Sequence, residues 1–186
     1  MIERDGPSVT SCKLCPELVD SRSQIVNARG SQDANLILVG EAPGKHEDAQ
    51  GTPFVGRSGE ILDDTLRQLD VDPAMVRITN CVRCRPPENR DPHVDERDNC
   101  RGHLDYEIGQ IDPAVLLTLG RVPAEVLLDE QITVTDRAGD VVGIPIAGTE
   151  RTVVLGLHPA ATLYNRSTRP AFEGALERAV DLANVR

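Results

Sequence analysis

The run Asn35-Leu-Ile-Leu-Val39 gives way at once to Gly40-Glu-Ala-Pro-Gly44, and this junction limits the fold more than any other stretch. Successive apolar side chains without alternation read as a short strand buried on both faces, ended by glycine and proline. Comparable runs follow at Val76–Asn80, Ala114–Leu119 and Thr152–Leu157. Helical patterns separate them. Arg57 to Leu69 sets Ile61, Leu62, Thr65, Leu66 and Leu69 on one face, Val94 to Ile108 is a polar helix carrying Cys100, a short helix runs from about Pro123 to Leu128, and Pro170 to Ala183 closes the chain. Residues 132–149 are expected to form a hairpin around Ala138-Gly139, and residues 1–11 a loosely ordered lead-in. Apolar strands alternating with helices predict an α/β fold, a three-layer α/β/α arrangement around a central four-stranded parallel sheet, as one domain over residues 1–186.

Such sheets bind ligands at the carboxyl ends of their strands. The loops Gly40–Gly59, Asn80–Pro92 and His158–Arg169 therefore share one edge. The first is glycine-rich but contains neither GxGxxG nor GxxxxGK[ST], which argues against a phosphate cradle. Its glycines permit close backbone approach to a flat ligand, and Phe54, one of only two phenylalanines, is placed to act as an aromatic lid, although a lone Phe also suits a core. Asn80, at the end of the second strand, offers a donor and an acceptor side by side, the pattern that reads the edge of a nucleobase; a turn former is the plainer alternative. His158 ends the fourth strand at the same edge.

Hydrophobic residues make up 39% of the 186 and charged residues 27%, the balance of a globular domain. No apolar run reaches the length of a membrane span and the N-terminal MIERDGPSVTSCKLC lacks a signal-peptide core, so a cytoplasmic location without membrane contact is expected. The net charge is −10, and the basic side chains are almost all arginine, Lys13 and Lys45 being the exceptions. Either the partner is not a polyanion, or the acid covers an outer body and leaves an arginine-lined working face. The acid-rich, lysine-poor composition is halophile-like. Of five cysteines, Cys12, Cys15, Cys84 and Cys100 are spaced C-x2-C-x68-C-x15-C, which suits a metal or cluster site better than disulfides in a cytosolic chain. Spacing alone leaves zinc and iron–sulfur equally open.

Taken together, GEAPGKHEDAQGTPFVG, ITNCVRCRPPENRDP and HPAATLYNRS, with CKLC upstream, closely resemble the family-four iron–sulfur uracil-DNA glycosylases, from Cys12 to the last helix. The resemblance implies a uracil-DNA glycosylase-like fold, uracil-containing DNA as the partner, and a repair reaction that flips uracil from the helix and hydrolyses its N-glycosidic bond. It implies that Phe54 stacks on the base, that Asn80 reads its edge, that Glu47 crowds C5 against a thymine methyl, and that the backbone of Gly40, Glu41 and Ala42 holds its oxygens. His158 is the motif-matched donor near O2. Some branches carry an Asp where this chain has Ala42, so Glu41 and Asn89 are the remaining candidates for positioning the attacking water. A [4Fe–4S] cluster on Cys12, Cys15, Cys84 and Cys100 is implied, with structural zinc the alternative and Cys81 a core residue. Leu163 or Tyr164 would wedge into the DNA, and Arg57, Arg85, Arg166 and Arg169, with Arg83 and Arg90, would neutralise phosphates. The chain is expected to act as a monomer. Two rival readings remain: a cluster protein that binds nucleic acid without cutting, and a glycosylase for another base such as hypoxanthine.

Overall fold

The computed structural model describes residues 2–186. Two helical layers enclose a six-stranded sheet. Its parallel centre is formed by β4 (Leu36–Gly40), β5 (Arg77–Asn80), β6 (Val115–Leu119) and β8 (Thr149–Gly156). Two antiparallel edge strands, β3 (Arg29–Gly30) and β7 (Val141–Ile146), complete the order β3-β5-β4-β6-β8-β7. The expected four parallel strands are thus the middle of a mixed sheet. A two-residue strand such as β3 is too short to show a period in sequence.

Alternation along β4 sorts the core. Leu36 and Leu38 point to one layer with Leu62 and Leu66 of α3 (Arg57–Gln68) and Phe172, Leu176 and Val180 of α7 (Arg169–Ala183). Ile37 and Val39 point to the other, with Leu104 and Ile108 of α4 (Val94–Ile111) and Leu127 of α5 (Arg121–Leu128). Both faces are dry, which is why these strands read as unbroken apolar runs. β4 pairs with β5 on one side and β6 on the other, so the chain reverses its direction of winding there. The loop after Gly40 consequently opens at the switch point, where doubly wound sheets bind ligands.

Three expectations are corrected. The hairpin is β7–β8, turning at Ala147 and Gly148 (φ 51° and 80°), not at Ala138-Gly139. Both central residues of this tight turn take positive φ, and Ala at the first is an unusual choice that hides the signal. Residues 139–140 instead bond to Leu155 of β8. The lead-in contains a small antiparallel hairpin, β1 (Glu3–Asp5) with β2 (Ser8–Ser11), while Met1 lies outside the described residues. The carboxamide of Asn27 pairs with both backbone polar groups of Val9 and so ties β2 to the body. Finally, the Gly40–Gly59 loop contains a helix, α2 (Lys45–Gln50). Two further short helices are α1 (Pro16–Ser21) and α6 (Ala161–Tyr164). No helix among the described residues is long and apolar enough to cross a membrane.

Candidate active site

The carboxyl edge of the sheet holds a cleft of about 190 Å³, walled by Ala42, Glu47, Phe54, Asn80 and His158 together with Gly44 and Ser58. The first five are sequence candidates drawn from three separate loops. Gly44 and Ser58 carry no motif signal beyond their place in the glycine-rich stretch. Missing side chains shape the cleft. A Cβ on Gly40 would stand 2.4 Å from Asn80 Oδ1 and 2.5 Å from Phe54 Cε2, so only glycine lets the amide and the ring close over the strand end. A Cβ on Gly59 would collide with the carbonyl of Phe54, whose own backbone is left-handed at φ 54°. Strain of this kind in a non-glycine residue persists only where neighbours fix it. Here Arg29 also helps, donating from Nε to the Pro53 carbonyl at 3.1 Å and pairing with Asp63 of α3 at 2.6 Å. Phe54 is both core and wall: it packs with Leu62 and Leu66, and its ring stacks near that of His158 at 5.7 Å between centroids.

The His158 ring has a defined tautomer. Its Nδ1 accepts from the Ala160 N–H at 3.1 Å, which leaves the proton of the neutral ring on Nε2. Burial depresses its pKa to about 4, so it is a neutral N–H donor at pH 7. Glu47 accepts from the Gly44 N–H at 3.1 Å through Oε2, which closes the first turn of α2 and holds the carboxylate at the cleft. The carbonyls of Gly40 and Glu41 accept from Cys81 and Val82 and carry the ladder past the strand ends.

Glu41 and Asn89 are not among the residues walling this cleft. Burial, and then the neighbouring Asp91, raise the Glu41 pKa to about 7 against the opposing pull of Arg97 and Arg121. Asn89 lies on an exposed turn at φ 54° and accepts from Arg85 Nε at 2.7 Å. Leu163 and Tyr164 sit on α6 just after His158, and Tyr164 is 90% exposed. Arg57 and Arg166 are exposed at the same edge, and Arg169 is exposed but paired with Glu173. Two arginines differ from expectation. Arg83 is 1% exposed, its guanidinium bound to Glu107 and Asn27, and Arg90 is clamped by Glu96 and Glu17. An Arg inside a loop motif gives no sequence sign that its partner is a buried Glu in the last part of α4, yet Glu107 takes Arg77, Arg83 and Thr79 at once.

A second, smaller concavity of about 20 Å³ lies under the N-terminal segment, where Cys12, Cys15, Cys84 and Cys100 line a common space. Cys81 is excluded from it and packs in the other core layer with Ile37 and Leu104. Each of the four sulfurs has an N–H donor. Arg22 Nη1 donates to Cys84 at 2.9 Å, Asn99 Nδ2 to Cys15 at 3.5 Å, and the Arg83 backbone N–H to Cys100. His103 Nε2 lies 3.5 Å from Cys12, while its Nδ1 faces Arg4 Nη2 at 3.0 Å; since arginine only donates, Nε2 bears the proton. Without a cation, burial pushes the Cys100 thiol up to about 12 and raises Cys15 and Cys84 too. Four thiols around one space, each with a donor for a sulfur bearing negative charge, form a set that fits a bound metal centre. Arg22, Asn99 and His103 escaped the sequence reading. The one available sign was His103, three residues beyond Cys100 on the same helix face.

Residues 28–180 match the sequence profile of the Uracil DNA glycosylase superfamily. The chain is 35% identical over 178 residues to a type-4 uracil-DNA glycosylase of Archaeoglobus fulgidus, covering 94% of this chain and 89% of the relative. It is 36% identical to a type-4 enzyme of Sulfurisphaera tokodaii over 98% of this chain and 84% of that one. A third type-4 relative, from Thermotoga maritima, is 36% identical over 90% and 85%. A cleft that gathers a ring, an amide and a neutral imidazole beside a four-thiol pocket is thus matched by relatedness along nearly the whole chain, which belongs to the uracil-DNA glycosylase superfamily and to its type-4 branch.

Proposed function

We propose that this uracil-DNA glycosylase takes a flipped uracil into the cleft between Phe54, Asn80 and His158 and hydrolyses its N-glycosidic bond. Phe54 supplies a flat apolar face. The Asn80 amide accepts from N3–H and donates to O4, and cytosine, which presents the reverse pattern, leaves both groups unpaired at a cost of about 1–3 kcal/mol. Glu47 crowds C5, and Ala42 with its neighbours in the Gly40 loop lies against the base oxygens. As the C1′–N1 bond breaks, charge accumulates on the base. The His158 Nε2–H, aimed at O2, stabilises that charge more than it stabilises the ground state. Water adds at C1′ and uracil leaves, giving an abasic site. Ala42 cannot act as a base. Of the two remaining candidates, Glu41 has a carboxyl tuned near neutrality, which suits a proton acceptor, whereas Asn89 could orient water only after moving with its turn.

The observation that carries this reading is the meeting of three loop residues in one cleft, with His158 held as a neutral donor. The test uses duplexes with a single uracil, cytosine or hypoxanthine, followed by hot alkali. Strand scission at uracil alone is expected; intact uracil strands overturn the proposal, and scission at hypoxanthine redirects it to another base.

For the cysteine pocket we favour a [4Fe–4S] cluster held by Cys12, Cys15, Cys84 and Cys100. The likeness to type-4 enzymes supports the cluster over zinc. Such a cluster would supply structural cross-linking of the N-terminal segment to the Asn80 loop and α4. Iron and sulfide analysis with visible absorption tests it, and stoichiometric zinc overturns it. DNA contact is assigned to Tyr164 and Leu163 as wedge, and to Arg57, Arg85, Arg166 and Arg169. We assign the chain a monomeric, single-domain form in the cytoplasm, where its five unpaired thiols would stay reduced.

A further inference from the structure

Helix α2 presents Glu47 to the cleft, yet little of its own holds it in place. It has six residues, fewer than an isolated helix needs to be stable, and its one buried side chain is the carboxylate of Asp48, 2% exposed. No apolar residue anchors it to the core. Its anchor is polar and comes from the segment after α1. The Ser23 N–H donates to both Asp48 oxygens, at 2.9 and 3.0 Å. Gln24 Nε2 donates to the carbonyls of Asp48 at 2.9 Å and Ala49 at 3.2 Å, capping the end of the helix. At that end Gly51 is left-handed (φ 71°), and a Cβ there would stand 2.6 Å from Gln24 Oε1.

The same segment grips the cysteine pocket with its preceding residue. Arg22 donates to Cys84 Sγ at 2.9 Å and to the Cys12 carbonyl at 2.7 Å. Two residues beyond Gln24, the Val26 N–H donates to the Arg83 carbonyl at 2.8 Å. Three consecutive residues therefore touch the thiol pocket on one side and the helix bearing Glu47 on the other.

We propose that Arg22-Ser23-Gln24 is a strap that sets α2 against the cysteine pocket, and that Asp48, to which it binds, is a specificity-positioning residue for the base in the cleft. The inference rests on the reading of Glu47 as the wall against C5. With the strap cut, α2 drifts and Glu47 withdraws. Discrimination against a 5-methyl group falls, while His158 and Asn80, on other strands, keep their places. Turnover on uracil then changes less than KM. The strap also gives the metal pocket an influence on base selection without any change in the residues that touch the base.

The test compares Gln24→Leu, Asp48→Ala and Asp48→Asn in the metal-loaded protein. Hydrogen exchange of amides 44–51 should accelerate about tenfold in the first two, the weight of one or two net hydrogen bonds, while β4 and β6 stay protected and the visible absorption is unchanged. The ratio of thymine to uracil excision opposite guanine should rise by a similar factor. Asp48→Asn, which keeps an acceptor for Ser23, should restore both. Unchanged exchange at 44–51 in Gln24→Leu overturns the strap, and this variant decides the matter even where Asp48→Ala does not fold. Faster exchange with unaltered selectivity overturns the specificity role. A parent protein that leaves uracil uncut counts against the proposed function, while the exchange result still decides the strap.

Discussion

The cleft and the cysteine pocket lie at opposite ends of the short segment Asn80–Cys84, and they are built by opposite means. The cleft is made by subtraction. Gly40, Gly59 and Gly120 each lack a side chain where one would strike Asn80, Phe54 or His158, the last at 3.3 Å from a Cβ on Gly120. The pocket is made by addition, each sulfur receiving an N–H from a different residue. A cleft for a transient, neutral, flat guest needs shape and donors that come into play as charge develops. A site for a permanent charged guest needs its charge compensated throughout. Substitutions should therefore separate the two, with changes to the cleft's glycines or to His158 harming only the first and loss of a sulfur's donor harming only the second.

The largest separation is expected from His158→Ala. Removing a donor aimed at developing charge costs about 10²–10³ in rate, and the expected result in single-turnover excision is a loss of that order with metal content unchanged. A near-normal rate breaks the assignment of His158. Gly40→Ala comes next. Its Cβ must push aside Asn80 and Phe54, and overpacking of this kind costs about 1–3 kcal/mol. A titration with uracil-containing DNA should show binding weakened at least tenfold, about 1.4 kcal/mol, while visible absorption stays at the parent level. Smaller still, His103→Phe removes one donor from Cys12, a net effect of about 1 kcal/mol. It should hasten bleaching of the metal centre in air and leave excision by freshly purified protein unaltered. Loss of excision in step with that of His158→Ala would collapse the distinction between the two sites.

The parts of this molecule that could be read from sequence are those in which a local pattern carries its own explanation. Unbroken apolar runs announced the parallel centre of the sheet, and glycines beside Phe54 announced a tight wall. Edge strand β3 was not legible because it is too short for a period, and the hairpin expected over residues 132–149 was misplaced because it turns through Ala147 rather than an expected turn residue. Within the site, Asn80 and His158 stood out since each sits where a buried strand stops, and Phe54 since it is a rare aromatic set among glycines. Arg83 misled because charge in a loop motif looks the same whether it faces phosphate or, as here, a buried Glu107 contributed by α4. Asp48 was silent for a similar reason: its partners are the Ser23 backbone N–H and the Gln24 side-chain amide, 25 and 24 residues away in sequence, which no spacing rule relates.

The smallest expected effect concerns Glu41, which belongs to neither site as a wall yet stands one residue beyond the cleft-forming Gly40. Its folded pKa of about 7 lies above the ordinary carboxylate range, and burial is the leading cause, followed by Asp91. The folded state thus binds more protons than the unfolded state between the ordinary range and pH 7, so stability must fall as pH rises through that window. His158 acts in the opposite sense. Its folded pKa, lowered to about 4, makes the unfolded state the better proton binder up to the usual histidine value, and stability there rises with pH. His103, lowered to about 4 as well, adds to the histidine slope, and this slope opposes that of Glu41 through the usual histidine range, so only the comparison with a Glu41 variant separates them. Urea unfolding of the parent and Glu41→Gln at pH 6 and pH 8 isolates the carboxyl: the parent should lose stability over this interval relative to the variant, whose side chain carries no proton to release. Parallel pH dependence in the two proteins would show that Glu41 titrates as a solvated carboxylate, and would remove its claim to accept a proton from water during excision.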